Sequence, residues 1–243
     1  MTPVIVSSFA IITFAAIIHA SFQLSVNLLN MLSRHSRGRK TAHRKVLRLM
    51  GSFINGSIVA TALLLASLSY LLILKINFST SSEQLVAAIA SGLMIGLGIA
   101  TWAFYYRRGG GTSLWLPRNF ARYLNTRTKQ TKNSAEAFGL GLTGVFAELL
   151  FIIGPMIAAA LAIVTLPTVW WQLSGLIIYI IVSALPLLVV FTLVGGGHSV
   201  AKIQKWREKH KRFIQFIAGG SLIILAAYLF VDRLLGISVY GVF

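Results

Sequence analysis

The sequence predicts an all-α membrane protein, a polytopic bundle of six transmembrane helices forming a single domain over residues 1–243. Three observations predict it. The chain is 56% hydrophobic and only 11% charged, with a mean hydropathy of +0.80, too apolar for an ordinary soluble domain. Six windows nearly free of charge are each long enough to cross a hydrocarbon core at about 1.5 Å of rise per residue. Finally, 22 Lys and Arg stand against five Asp and Glu, and the basic residues fall in alternate loops. Charge split in this way orients a membrane protein; a nucleic-acid surface would gather it on one patch, so nucleic acid is excluded as a partner.

The first span covers about residues 4–32 and carries one ionisable group, His19. It has no basic leader and is too long for a cleaved signal peptide, so it is read as a membrane helix. Loop one holds Arg34, Arg37, Arg39, Lys40, Arg44, Lys45 and Arg48. Spans at 49–74 and 84–106 follow, separated by the short KINFSTSSEQ. The basic loop 107–136 contains Arg107, Arg108, Arg118, Arg122, Arg127, Lys129 and Lys132, and its Gly109-Gly110-Gly111 run reads as a linker. The fourth span, 137–165, contains Glu148, and the fifth, 170–194, has no charge. Trp170, Trp171 and Tyr179 read as an interfacial aromatic belt at its outer end. A last basic loop, with Lys202, Lys205, Arg207, Lys209, Lys211 and Arg212, precedes the sixth span at 213–231.

Twenty of the 22 basic residues thus lie in loops one, three and five, with Lys75 and Arg233 elsewhere. The positive-inside rule then places those loops in the cytoplasm, facing anionic lipid headgroups, and both termini outside the cell membrane. The halves 1–106 and 137–243 hold three spans each. An odd number of spans per half gives the halves opposite orientations, the layout of a 3+3 inverted repeat, in which binding sites sit near the midplane.

Polar residues mark where such a site would be. On a helix, Gln23, Asn27 and Asn30 fall at about 40°, 80° and 20° from His19, forming one polar stripe. Facing lipid, the stripe would leave donors and acceptors unpaired, so it must face the bundle or water. Ser25 follows in the same stretch, HASFQLSVNLLN. In AFGLGLTGVFAELLFIIGPM, Gly141, Gly144 and Glu148 share a face that permits close helix approach, and Pro155 frees the carbonyl of Phe151. Pro186 should free that of Val182, with Ser183 near enough to help satisfy it. Gly219 and Gly220 read as packing residues of the sixth span. A carboxylate near the middle of the bilayer is a functional candidate by default; protonated, or ionised beside His19, Glu148 makes a proton or cation site.

Four stretches, HRKVLRLMGSFINGSIV, AFGLGLTGVF, ALPLLVVF and KRFIQFIAGGSLIILAAYLF, fall in an order that gives the chain a family likeness. It resembles the six-span thiol:disulfide interchange membrane proteins of cytochrome c biogenesis, within the lysine-exporter superfamily. In that family spans one and four each carry a cysteine in a proline-flanked motif. By position these motifs would fall on Ser21-Phe22-Gln23-Leu24-Ser25 and Gly144-Val145-Phe146-Ala147-Glu148, yet the chain has no cysteine. Disulfide exchange needs a thiolate attacking a sulfur, so the resemblance implies the architecture without the electron transfer. The motif positions instead offer Gln23, Ser25 and Glu148 to a solute or ion.

The leading functional expectation is a secondary transporter that couples protons to export of a cation or small polar solute. Glu148 and His19 would be its central groups, with Gln23, Ser25 and Asn27 beside them. Two other classes remain open: a cysteine-less relative of the thiol:disulfide proteins, and a non-transporting assembly or scaffold protein acting through its basic loops. No nucleophile–base set, HExxH or Walker loop occurs, so neither an enzyme nor a metal or organic cofactor is expected.

Overall fold

The computed structural model describes residues 2–22, 28, 29, 32, 40–76, 80–105, 118–196 and 209–235. Their regular structure is helical throughout: α1 (Thr2–Ser21), α2 (Lys40–Ile76), α3 (Thr80–Ala100), α4 (Arg118–Gln130), α5 (Ser134–Val164), α6 (Val169–Gly195) and α7 (Lys211–Leu229). π-Helical turns at Thr101–Tyr105 and Phe230–Leu235 continue α3 and α7. All but α4 are long and apolar enough to cross a membrane, which makes six candidate spans.

Several boundaries differ from the sequence reading, each for a physical reason. The first span was expected to run to Leu32, but α1 ends at Ser21, where the Phe22 amide turns back onto the His19 carbonyl at 3.2 Å. Helix α2 starts earlier than expected, at Lys40, because Val46, Met50 and Phe53 continue its buried stripe into the basic loop. Helix α5 starts at Ser134 on a capping box. Asn133 Oδ1 accepts from the Glu136 amide at 2.8 Å, and Glu136 Oε2 accepts from the Lys132 amide at 2.8 Å. Loop three, expected as a basic cytoplasmic loop joining the halves, contains amphipathic α4, whose Leu124 and Thr128 are buried while Arg122, Arg127 and Lys129 are exposed. The Gly109–Gly111 run lies outside the described residues.

Helix α5 is the axle of the bundle. Of its most apolar 18-residue stretch 78% is buried, against 28–39% in the other five spans, and α1, α2, α3, α6 and α7 all pack on it. Its neighbours expose Leu63, Leu85, Ile89, Ile177, Ile181 and Ile224 on their far sides, an apolar girdle of the kind lipid covers. Between apolar helices in lipid, close contact has to come from small residues. Where α2 crosses α5, a methyl on Gly56 would strike the Phe138 carbonyl, and one on Gly141 would strike that of Phe53. The two helices therefore touch backbone to backbone. A second close crossing joins α3 to α7 at Gly98 and Gly219, where Trp102 stacks on Phe216 with centroids 5.8 Å apart.

Arg233, left unassigned by the sequence, ties three helices together at one end of the bundle. Its guanidinium donates to Glu83 Oε1 (α3) at 3.0 Å and to Ser8 Oγ (α1) at 3.0 Å, and its Nε lies 2.9 Å from Asp232 Oδ2. That last contact has the distance of an ion pair but lacks the angle of a hydrogen bond. Ser7 completes the knot by donating to Asp232 Oδ1 at 2.6 Å. Replacing Arg233 with leucine strands two carboxylates at this end; a loss of about 2 kcal/mol is expected, read as a lower thermal midpoint in detergent. An unchanged midpoint would mean the knot is satisfied equally well by water.

Candidate functional site

Helical periodicity brings pairs of polar residues onto single faces. Ser57 and Thr61 are one turn apart on α2, as are Tyr179 and Ser183 on α6. Both pairs sit near the midpoints of their helices, as Glu148 does on α5, so the three helices present polar groups at one depth. His19, in the last turn of α1, meets them there. All are buried, His19 at 1% exposure and Glu148 at 2%.

The imidazole Nε2 of His19 lies 3.9 Å from Glu148 Oε2, slightly beyond direct hydrogen-bond reach and a gap that one water can bridge. On its other side Nδ1 meets the Tyr179 hydroxyl at 3.1 Å. The roles in this chain are linked. If Tyr179 donates to Nδ1, the imidazole proton sits on Nε2 and faces Glu148. If a protonated Glu148 faces Nε2, the imidazole proton moves to Nδ1 and is donated to the phenol oxygen. Tyr179, His19 and Glu148 thus form a relay whose polarity can reverse.

Beside the pair is a cavity of about 10 Å3, room for the centre of one water-sized sphere. Its polar lining is His19, Ser57, Thr61, Glu148 and Ser183. The cavity lies at the seam between two apolar clusters. One includes Ile18, Phe22, Ala60, Phe151 and Tyr179; the other includes Phe53, Ile54, Ala147, Leu187 and Val190.

The structure brings His19 and Glu148 together as the sequence expected, while Gln23, Ser25, Asn27 and Asn30 lie outside the described residues. Gly141 and Gly144 are buried on α5, and Gly141 accepts a hydrogen bond from Ser57 Oγ at 3.3 Å. Pro155 and Pro186 stand inside α5 and α6 without ending them. One reading needs correction. Tyr179 is no belt residue: it is fully buried against His19, while Trp170 and Trp171 are exposed. Ser183, expected near the carbonyl that Pro186 frees, donates to the Ile180 carbonyl at 3.1 Å, one turn back. The sequence reading passed over Ser57, Thr61 and Ser183 as lining residues. Their signal was a polar pair at four-residue spacing within an otherwise apolar span.

Together, fold and site define a class: six candidate membrane-spanning helices, as in a multi-pass membrane protein, with an ionisable pair buried at the centre. No protein-family model, curated protein or solved structure matches the chain.

Proposed function

We propose that the chain is a secondary transporter of the cell membrane that couples protons to the export of a cation or small polar solute. The pair His19–Glu148 carries this reading. Ionisable groups are costly at the depth of hydrocarbon, and here they line a cavity at the seam between two apolar clusters. A polar cavity at the centre of the bundle is where alternating access needs its binding site, and inward proton movement at Glu148 would drive cargo out.

The helix pairing supports the inverted-repeat reading. Exchanging the halves maps α1 on α5, α2 on α6 and α3 on α7, and each of these pairs is in contact. The third and sixth spans also both end in π-helical turns. In this arrangement the basic starts of α2 and α7, together with basic α4 and the start of α5 that follows it, face the cytoplasm and its anionic headgroups, and both termini face out. The sequence likeness to the thiol:disulfide interchange proteins would then be one of scaffold, with a different site installed in it.

In proteoliposomes, pH-dependent flux should be present in the wild type and lost in Glu148→Gln. Tyr179→Phe keeps the ring but removes the relay's far end. It should slow proton-coupled flux about tenfold, the rate equivalent of one lost hydrogen bond. Equal rates and an unshifted pH profile would remove Tyr179 from the relay.

A further inference from the structure

We propose that the cavity beside Glu148 is a binding site for a dehydrated small monovalent cation, sodium or lithium, which competes there with a proton. The proposal rests on the transport reading above for its purpose but on separate chemistry for its ligand.

The lining selects the ligand in three steps. First, the hydroxyls are oriented. Ser57 Oγ gives its hydrogen to the Gly141 carbonyl at 3.3 Å, and Ser183 Oγ gives its hydrogen to the Ile180 carbonyl at 3.1 Å. A hydroxyl that already donates to a helix carbonyl can meet a further ligand only through its oxygen. With the carboxylate of Glu148, these groups turn acceptors toward the cavity. Such a lining repels anions and suits a hard cation that prefers oxygen ligands.

Second, size. The space beside Glu148, about 10 Å3, takes one water-sized occupant and so suits a bare ion in contact with the lining oxygens. Third, charge. Among the described residues Glu148 is the one carboxylate at the cavity, so a monovalent ion leaves the buried site neutral. A divalent ion would leave an uncompensated positive charge in a low-dielectric interior. Among the described residues no three His, Asp or Glu side chains gather to offset it.

The exchange balances. A protonated Glu148 loses its proton as the cation arrives, one positive charge replaces another, and no electrons move. His19 Nε2, 3.9 Å away, is the base through which the proton departs, and the imidazole is neutral before and after. Among the described residues, the titratable groups facing Glu148 in this cavity are His19 from α1 and, behind it, Tyr179 from α6. The charged groups of α2, α3 and α7 among the described residues lie toward the helix ends. The site is therefore built for electroneutral exchange of one proton for one small cation.

The test is proton release from the purified protein in weakly buffered detergent, followed with a pH indicator. Sodium chloride should release about one proton per chain, lithium chloride likewise, and choline chloride none. Glu148→Gln should release none, whereas Glu148→Asp, which keeps the carboxylate, should release with weakened affinity. Ser57→Ala combined with Ser183→Ala should raise the sodium concentration needed by about tenfold or more, as expected for two lost oxygen ligands. No release by sodium from a protein with normal thermal stability would overturn the proposal, as would equal release in Glu148→Gln. Flux separates the two readings. Glu148-dependent proton flux that persists in choline, with no sodium-driven release, sinks the cation site and leaves the transporter. Sodium-driven release without any flux sinks the transporter and leaves the site.

Discussion

Glu148→Gln is expected to bring pH-dependent flux in proteoliposomes down to background, a loss of at least about a hundredfold, as when a group that must gain and lose a proton is removed. The amide is nearly isosteric with the carboxylate and can still hydrogen-bond beside His19. It cannot release a proton or balance a cation. Because the neutral amide suits a site 2% exposed, the variant should fold, and its thermal midpoint should match or exceed that of the wild type. This combination of lost flux and retained stability separates a working carboxylate from a structural one. A scaffold protein acting through its basic loops would behave the opposite way. It would tolerate Glu148→Gln and respond to neutralising Arg122, Arg127 and Lys129, which are exposed on α4. Unchanged flux in Glu148→Gln would remove the transport reading.

The parts of this molecule that depend on one helix at a time were legible in the sequence. Charge-free windows marked six candidate spans because hydrocarbon tolerates few charges, and Glu148 stood out as a lone acid in a long apolar run. Arrangements between helices were not. Tyr179 looked like a belt residue because tyrosine often anchors at an interface; its burial follows from α6 turning it toward α1, which no single span encodes. Arg233 looked like a stray charge, since its partners Glu83 and Ser8 are distant in sequence and meet it only once α1, α3 and α7 are assembled. The end of α1 at Ser21 was hidden for a different reason. Hydropathy continues through Phe22 to Leu32, so hydropathy alone does not mark the end of α1 at Ser21.

Gly141→Leu is expected to be the most damaging substitution to the fold, and its graded companion Gly141→Ala shows why. At the crossing of α2 and α5, the first carbon of any side chain at 141 meets the carbonyl oxygen of Phe53 and lies 3.0 Å from the Ser57 nitrogen, both backbone atoms that no rotamer change can move aside. The helices must separate, and lipid supplies little hydrophobic force to hold them together once packing is lost. Alanine should cost about 2–3 kcal/mol, at the upper end for overpacking. Leucine should leave little folded protein, seen as aggregation on gel filtration in detergent. Gly139 provides the control, since a methyl there meets nothing within 4 Å. Gly139→Ala should be neutral or gain up to about 1 kcal/mol from helix propensity. Damage at 141 should also reach the site, because Ser57 hydrogen-bonds the Gly141 carbonyl and Glu148 lies two turns further along α5. Moving α2 away withdraws Ser57 from the cavity, so surviving Gly141→Ala protein should need more sodium for proton release than the wild type. Thermal midpoints equal for Gly141→Ala and Gly139→Ala would mean the two backbones have room to spare, and the crossing could not then be what holds the cavity's hydroxyls in place.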